Sequence, residues 1–377
     1  MQNSVTSNTS VQRRVEALLD KQDIRVNGDR PWDIRVHDTR FYARALTQGS
    51  LGLGESYMDG WWDSHQLDVT IFKLLRPDIR KHLRPSVALI YDMIRARILN
   101  VQAGQRAYII GKVHYDVGND LYQKMLDPLM TYTCGYWQDA QTLEEAQIAK
   151  LDLACRKIHL QPGQKVLDVG YGWGSFARYA AEQYGAHVVG ITVSKEQVAL
   201  GKELCAGLPI EIRLQDYRDV NEPFDHIVSF GMFEHVGHKN HRAYFEMAHR
   251  CLKDDGFCFL HTIGSDETTK TTDPWIERYI FPNSVIPSIV QIGKAVEHLF
   301  NMEDWHNFGM DYDRTLMEWY KNFETHWHEL KERYDERFRR MWNYYLQACA
   351  AAFRARQNQL WQIVFSKKRH GGYRSIR

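Results

Sequence analysis

The chain of 377 residues is long enough for one large domain or for two of ordinary size. Hydrophobic residues make up 44% of it and charged residues 25%, which excludes a disordered or collagen-like chain. The 48 Lys and Arg residues almost balance the 47 Asp and Glu residues, so the net charge of +1 excludes a general attraction to nucleic acid.

Cysteine spacing and the hydropathy pattern bear on the compartment. The six cysteines are scattered and form no C-x-x-C pair, which favours neither a disulfide framework nor a zinc ribbon. The first residues are polar, without the apolar core of a signal peptide, and no stretch approaches the ~18 apolar residues of a membrane span. These features predict a cytoplasmic protein with reduced thiols.

The amino-terminal part of the chain has helical spacing of apolar residues, broken by glycines, and ends in a linker-like segment at Gln102–Gln105. We expect a smaller helical domain over residues 1–105 and a second domain over residues 106–377. Between Lys73 and Lys112, nine basic residues and only two acidic ones occur. This local excess of positive charge predicts docking on anionic phospholipid, and a solvated helical face is the alternative.

The middle of the chain alternates short apolar runs with helical segments. The runs are Lys165–Val169, His187–Thr192, Ile210–Leu214, Phe224–Phe230 and Phe257–Ile263. Helices are predicted over Ser175–Gln183 and Lys195–Cys205, and from Thr315 to about Phe365. This alternation predicts an α/β fold with a doubly wound, Rossmann-like parallel sheet.

A glycine-rich turn follows the first run, in VLDVGYGWG (Val166–Gly174). Its glycines are Gly170, Gly172 and Gly174. They allow backbone amides to approach an anionic ligand at a helix start. A dinucleotide fingerprint would need a glycine at position 175, where Ser175 stands. With Asp168 just before it, the turn resembles the first motif of S-adenosylmethionine methyltransferases; a dinucleotide, or no ligand, is the alternative.

Two later segments fit the same cosubstrate. Residues Gln215, Asp216 and Tyr217 follow the third strand, where methyltransferases of this fold often contact adenine; an exposed polar turn is the alternative. The side chains of Thr192, Ser194 and Gln197 stand at the end of the second strand, near the ribose position. They also have the spacing of a helix cap, and both interpretations can hold together.

Seven further motifs occur in one order along the chain. They are HYDVGNDLY (His114–Tyr122), LDPLMTYTCGYW (Leu126–Trp137), GMFEHVG (Gly231–Gly237), FLHTIG (Phe259–Gly264), DPWIERYIFPNSVIPS (Asp273–Ser288), EDWHNFGMDYDRTL (Glu303–Leu316) and CAAAFRAR (Cys349–Arg356). With SLGLGESYMDGWW (Ser50–Trp62), they make nearly the whole chain closely resemble the cyclopropane fatty acid synthase family.

The resemblance implies transfer of a methylene group from S-adenosylmethionine to a cis double bond in a phospholipid acyl chain, with bound bicarbonate as the base. By motif, the bicarbonate ligands are Cys134, Glu234, His261, the Ile263 backbone and Tyr312. Cys349 has been regarded as catalytic in this family, but its position on an apolar helical stripe favours packing. Tyr132, Thr133 and Tyr171 join the implied cosubstrate contacts.

The resemblance also implies a homodimer, peripheral on the inner face of the cytoplasmic membrane. The family loop ordinarily reads G-C-G-W-G, whereas Tyr171 holds its second position here. Either this phenol points away from the ligand or binding is altered; we expect retained but weakened binding. The rival functions are N-methylation of a small amine and a lipid-binding homologue without activity. We predict no metal at His235, His238 and His241 because no supporting carboxylate pair accompanies them.

Overall fold

The computed structural model describes residues 2–76, 118–367 and 372–377. They form two compact units, each assembled from several stretches of chain. The first contains the described parts of residues 1–121 together with 272–282 and 319–357, and the second contains those of 122–271, 283–318 and 358–377.

The helices of the described residues are numbered in chain order. They are α1 (Gln2–Asp20), α2 (Arg40–Met58), α3 (Leu67–Leu74), α4 (Asn119–Met125), α5 (Leu143–Lys157), α6 (Ser175–Tyr184), α7 (Lys195–Leu204), α8 (His241–Cys251), α9 (Pro274–Tyr279), α10 (Ile289–Val296), α11 (Met310–Leu330) and α12 (Glu336–Arg354). Within this described part of the chain, no helix has the length and apolar character needed to cross a bilayer.

The strands are numbered in the same way. They are β1 (Arg35–Val36), β2 (Trp62–Asp63), β3 (Lys165–Val169), β4 (His187–Thr192), β5 (Ile210–Leu214), β6 (Phe224–Phe230), β7 (Leu252–Gly264), β8 (Asn301–Asn307) and β9 (Gln359–Ser366). Strands β3 to β6 have the bounds predicted from the sequence, and β7 begins five residues before the predicted Phe257.

The first unit is helical, with β1 and β2 as a short antiparallel pair. Helix α12 packs on α2 and α3 because its apolar stripe, which includes Trp342 and Leu346, is buried. The Arg340 side chain ties α12 to this unit by donating to Asp63 Oδ1 at 2.6 Å. The carboxyl-terminal helical extension therefore packs with the amino-terminal helices.

The second unit holds a seven-stranded sheet in the order β5-β4-β3-β6-β7-β9-β8. Strands β3 to β7 run parallel and β9 runs antiparallel to both neighbours. This confirms the predicted α/β, doubly wound fold. The strand order reverses between β3 and β6, and in open parallel sheets such a reversal leaves a ligand crevice at the carboxyl ends of the strands.

The helix predicted to continue to about Phe365 is wrong at its end. Helix α12 stops at Arg354, Arg356 takes a left-handed φ of 60°, and β9 follows. Strand β9 lies between β7 and β8, so its apolar run from Ile363 to Phe365 is buried on both faces. Strand β8 was not predicted, because its sequence NMEDWHN has no apolar run.

Several sequence predictions fall outside the described residues: the helical spacing of the amino-terminal part beyond residue 76, the linker at Gln102–Gln105, the domain boundary near residue 105 and most of the basic cluster. Of that cluster, Lys73 and Arg76 are described, and the ammonium group of Lys73 pairs with Asp23 at 2.8 Å.

Candidate active site

The glycine turn joins β3 to α6 at the reversal of strand order. Gly170, Gly172 and Gly174 have φ values of 80°, 59° and 82°, a region that L side chains rarely adopt. The amides of Gly170 and Tyr171 donate to Ile191 O at 3.0 and 3.1 Å, which ties the turn to β4. A Cβ atom at Gly170 would lie 2.5 Å from Met232 Cβ, so the turn also abuts the segment after β6.

The Tyr171 side chain points into the core of the unit. Only 3% of it is exposed, and its hydroxyl donates to Gln197 O at 3.4 Å. Three glycines make room for the ring. A Cβ at Gly174 would lie 2.8 Å from Tyr171 Cε2, one at Gly190 would lie 2.7 Å from Cδ2, and one at Gly201 would lie 1.3 Å from Oη. The ring of Tyr171, the residue that departs from the family pattern, therefore lies between β4 and α7.

Asp168 lies near the carboxyl end of β3 and is buried. Loss of hydration raises the pKa of its carboxyl group to about 7, and the positive charge of Lys150 opposes the shift. The Asp168 carboxyl group and the Lys150 ammonium group therefore interact electrostatically in the interior of the unit, away from water.

The end of β4 forms a hydrogen-bonded cap on α7. Thr192 Oγ1 donates to Gln197 Oε1 at 2.6 Å, and Ser194 Oγ accepts from the Gln197 amide at 3.2 Å. The predicted helix cap is confirmed, and it places all three predicted ribose contacts together. Their contact with a ribose stays a prediction.

The segment after β5 lies beside this cap, because the Gln215 amide donates to Thr192 O at 2.9 Å. Asp216 caps a short 3₁₀ turn and pairs with the Arg218 guanidinium at 2.7 Å. The Tyr217 ring packs on Tyr244, with centroids 5.6 Å apart. The two predicted cosubstrate segments thus lie side by side at the carboxyl edge of the sheet.

Residues 131–137 form a loop that α5 and α11 hold in place. Gln147 Nε2 donates to Thr133 O at 2.8 Å, and Lys150 Nζ donates to Thr133 Oγ1 at 2.8 Å. From α11, Thr315 Oγ1 accepts from the Gly135 amide at 3.1 Å. The Tyr132 ring packs edge-on against Tyr122 in the same unit, with centroids 5.1 Å apart.

Cys134, within this loop, is fully buried. Its thiol donates to Gly135 O at 3.1 Å and lies 3.8 Å from Thr315 Oγ1. Burial raises the pKa of the thiol well above its ordinary value, which keeps it neutral. Tyr312, also buried, precedes Thr315 by three residues in α11, so the two occupy one helix face beside the loop.

Glu234 follows β6 and is linked to the end of β7. Its Oε1 accepts from the Ile263 amide at 2.8 Å, whereas Oε2 has no hydrogen-bond partner among the described residues. Burial raises the pKa of the carboxyl group to about 7, with the Ile263 amide opposing. The site thus contains a buried carboxyl group with one unused oxygen.

His261 lies on β7, next to Phe230 of β6 in the strand register. Its Nδ1 lies 3.4 Å from Gln362 Nε2 on β9, and its Nε2 has no partner in the described part of the chain. Burial lowers the pKa of the imidazole well below its ordinary value, so the ring is neutral. The Gln362 amide thus faces Nδ1, and Nε2 is left for a ligand.

The structure therefore brings most of the predicted site residues into the second unit, at the carboxyl ends of β3 to β7 and in the loop of residues 131–137. Cys349 belongs to the first unit, on α12, where burial raises the pKa of its thiol to about 12. Of the three histidines, His241 stacks on Phe233 with centroids 4.3 Å apart. The residues described contain no group of His, Cys, Asp and Glu side chains that could hold a metal ion.

Sequence reasoning missed three buried polar residues: Gln147, Lys150 and Gln362. The first two lie on the buried face of α5, among apolar residues such as Ala146 and Leu151. A polar residue at an apolar position of an amphipathic helix is the signal that could have revealed them. Gln362 has a similar signal, as a single polar residue in the apolar run of β9.

Comparison with known proteins gives the family. The sequence model of the mycolic acid cyclopropane synthetases matches residues 102–363. The chain is 52% identical to the cyclopropane-fatty-acyl-phospholipid synthase of Escherichia coli over 97% of this chain and 96% of that protein. The chain belongs to this family. It is thus an enzyme, an S-adenosylmethionine-dependent methyltransferase.

Solved structures agree with this cyclopropane synthetase assignment. Mycolic acid cyclopropane synthase CmaA1, solved in complex with SAH and CTAB, is 35% identical and has a TM-score of 0.63, covering 68% of this chain and 96% of that one. A coclaurine N-methyltransferase is 22% identical, with a TM-score of 0.67 over 84% of this chain and 99% of that one. The second likeness shows the fold alone.

Proposed function

We propose that this methyltransferase adds a methylene group from S-adenosylmethionine across the cis double bond of an unsaturated phospholipid acyl chain, forming a cyclopropane ring. The Escherichia coli relative, a cyclopropane-fatty-acyl-phospholipid synthase at 52% identity, supports this acceptor. The detergent-like CTAB in the CmaA1 structure is consistent with an apolar chain as ligand.

The reaction sets two requirements. An alkene is a weak nucleophile, so transfer of the methyl group from the sulfonium leaves a carbocation on the acyl chain. A base must then take a proton from the new methyl group, whose electron pair closes the ring. The site must therefore exclude water and must offer a base that does not itself accept the methyl group.

We propose that a bound bicarbonate ion supplies this base. The observation that carries the proposal is a pair of buried atoms without partners among the described residues, Glu234 Oε2 and His261 Nε2. Buried polar atoms are normally hydrogen-bonded, so such atoms fit a small polar ligand. Bicarbonate has acceptor oxygens and one O–H donor. His261 Nε2 can donate to one of these oxygens, and Glu234 Oε2 can accept from the O–H or, when protonated, donate to an oxygen.

The roles of the individual residues follow from their protonation. Neutral His261, with the Gln362 amide at its Nδ1, would donate a proton from Nε2 to the anion. Glu234, with a pKa of about 7, would accept the O–H of the anion or share the released proton. The neutral Cys134 thiol and Tyr312 would complete the cradle, and we propose no covalent step at Cys134 or Cys349.

Stabilisation of the carbocation has to be shared among several groups. A desolvated cation–π contact is worth about 2 kcal/mol, whereas a 10⁶-fold acceleration requires about 8 kcal/mol. The candidates are aromatic residues of the family motifs: Tyr132, Tyr136, Trp137, Phe233 and Tyr312. Phe233 is fully buried and stacks on His241, so a packing role explains it better.

A direct assay tests the proposed function. Purified protein is mixed with methyl-labelled S-adenosylmethionine and vesicles of monounsaturated phospholipid. We expect acyl chains heavier by one CH₂ that resist mild catalytic hydrogenation, and we expect Glu234→Gln to reduce this activity at least ~100-fold, as for loss of a general acid or base.

Glu246→Gln serves as the matched control, since it makes the same chemical change at an exposed carboxylate of the same unit, on α8, outside the bicarbonate cradle. Methylation of small amines instead of lipid, unaffected by Glu234→Gln, would contradict the proposal, because an amine has a lone pair and needs no base of this kind.

We further propose that the protein works as a homodimer, peripheral on the inner face of the cytoplasmic membrane, and that residues 1–105 contain the docking surface. The substrate's double bond lies inside the bilayer, so the enzyme must reach it from the lipid surface. The excess of basic residues between Lys73 and Lys112 supports docking on anionic headgroups. Sedimentation equilibrium tests the dimer: a monomer throughout the micromolar range would contradict it.

A further inference from the structure

Lys150 is a fully buried lysine at the centre of the candidate site. Its Nζ has one hydrogen-bond partner in the described part of the chain, Thr133 Oγ1 at 2.8 Å, and lies 5.0 Å from the centroid of the Phe230 ring. Removing an ammonium group from water is costly even where charged partners compensate, as the carboxyl groups of Asp127 and Asp168 do here. Such a residue in the interior requires a reason beyond packing.

The direction of this hydrogen bond determines what Thr133 can do. An ammonium group only donates, so Thr133 Oγ1 accepts and the hydroxyl proton must point elsewhere. The Thr133 carbonyl already accepts from Gln147 Nε2, which fixes the backbone of the loop. The hydroxyl of Thr133 is thereby oriented as a donor, and the charge behind it strengthens that donor.

Thr133 stands at the carboxyl edge of the sheet, partly exposed. Its Cγ2 would lie 2.9 Å from a Cβ at Gly231, the residue that follows β6. Next to Gly231, Met232 abuts Gly170 of the glycine turn. The Thr133 hydroxyl is therefore close to the crevice between β3 and β6, where this fold binds its cosubstrate.

The anionic group of S-adenosylmethionine is its carboxylate, and no described residue of the glycine turn carries a positive side chain. We propose that Lys150 is a positioning residue for the cosubstrate: through the Thr133 hydroxyl, it presents a strengthened hydrogen-bond donor to the carboxylate of S-adenosylmethionine. This role rests on the enzyme's cosubstrate and not on the proposed lipid acceptor or on bicarbonate.

Binding of two ligands that differ only in this carboxylate tests the proposal. Titration calorimetry without lipid compares S-adenosylmethionine with decarboxylated S-adenosylmethionine, on the full-length protein and the variants Lys150→Met, Thr133→Val and Thr133→Ser. We expect Lys150→Met and Thr133→Val each to weaken S-adenosylmethionine binding ~10- to 100-fold, the range of a hydrogen bond to a charged group. Binding of the decarboxylated ligand should change less than about twofold.

The remaining variants separate positioning from a general structural effect. Thr133→Ser keeps the hydroxyl and should retain wild-type affinity within about threefold, and the Lys150→Met, Thr133→Val double variant should lose no more than either single one. Equal weakening of both ligands, or unchanged binding in Lys150→Met, would overturn the proposal. The proposal would also be overturned if Lys150→Met lost only the binding of bicarbonate, measured with ¹³C-labelled bicarbonate. Lys150 would then be assigned to bicarbonate binding. Wild-type binding with no lipid turnover would instead count against the proposed function.

Discussion

At the scale of single residues, protonation of the buried Glu234 carboxyl group affects the stability of the folded protein. The pKa of Glu234 is about 7 in the folded protein and 4.5 in a solvated chain, so the folded state holds the proton more tightly. Its stabilising effect is complete below pH 4.5 and is lost as the pH rises through about 7.

We therefore expect the free energy of unfolding of the wild type to fall relative to that of Glu234→Gln by about 2 kcal/mol between pH 5 and pH 8. Urea denaturation of both proteins at the two pH values, without ligands or bicarbonate, measures this difference. Because Glu234→Gln leaves every other titrating group in place, a difference between the two proteins that did not change with pH would contradict the assigned pKa.

Individual residues of the site were predictable where a motif named them, and only there. The motifs pointed to Glu234 and His261, whose unpartnered atoms then proved to be buried. The partners that orient them could not be found in this way. Gln362 reaches His261 only because β9 pairs with β7 across about a hundred residues of sequence, and Lys150 meets Thr133 through helix–loop packing.

At the scale of elements, a glycine of α7, Gly201, leaves the space that the Tyr171 ring occupies. A Cβ atom at Gly201 would collide with Tyr171 Oη, so α7 tolerates a helix-weakening glycine because the phenol needs the space. Gly201 therefore compensates for Tyr171, the residue that departs from the family loop, within the same unit.

We expect Gly201→Ala to destabilise the wild type by about 1–3 kcal/mol through overpacking. In a Tyr171→Cys background the collision is absent, and the same substitution should stabilise by about 0.5–1 kcal/mol because alanine favours the helix. Chemical denaturation of the four proteins forms a double-mutant cycle. An equal change in the free energy of unfolding for Gly201→Ala in both backgrounds would show that ring and glycine are not coupled.

Elements were predicted well where local signals agreed with the tertiary structure. The parallel strands β3 to β6 are short apolar runs between turn residues, and their bounds were predicted to the residue. Strand β9 was predicted as helix because its apolar run directly follows a long helix. Its pairing with β7 and β8, which makes it a strand, is not visible in the local sequence.

At the scale of the whole molecule, an almost neutral chain carries a strongly basic stretch between Lys73 and Lys112. If this stretch docks on anionic lipid, reversing Arg80, Lys81 and Arg84 to Glu should weaken binding to phosphatidylglycerol-rich vesicles at least ~100-fold, at about 1 kcal/mol for each charge. Vesicle sedimentation over a range of salt concentrations measures this.

The matched control reverses three exposed lysines of the second unit, Lys202, Lys239 and Lys270, which changes the net charge equally. Equal loss of binding in both triple variants would mean that total charge, and not this stretch, governs attraction to the vesicle. Binding that did not respond to salt in either protein would exclude an electrostatic docking surface.

The two compact units are each assembled from separated stretches of chain, and this has a consequence for how the protein can be made. The first unit needs residues up to 357, and the second needs β9, which ends at Ser366. Neither unit can be completed before the other has been largely synthesised, because their stretches alternate along the chain. No single cut in the gene therefore separates one unit intact from the other.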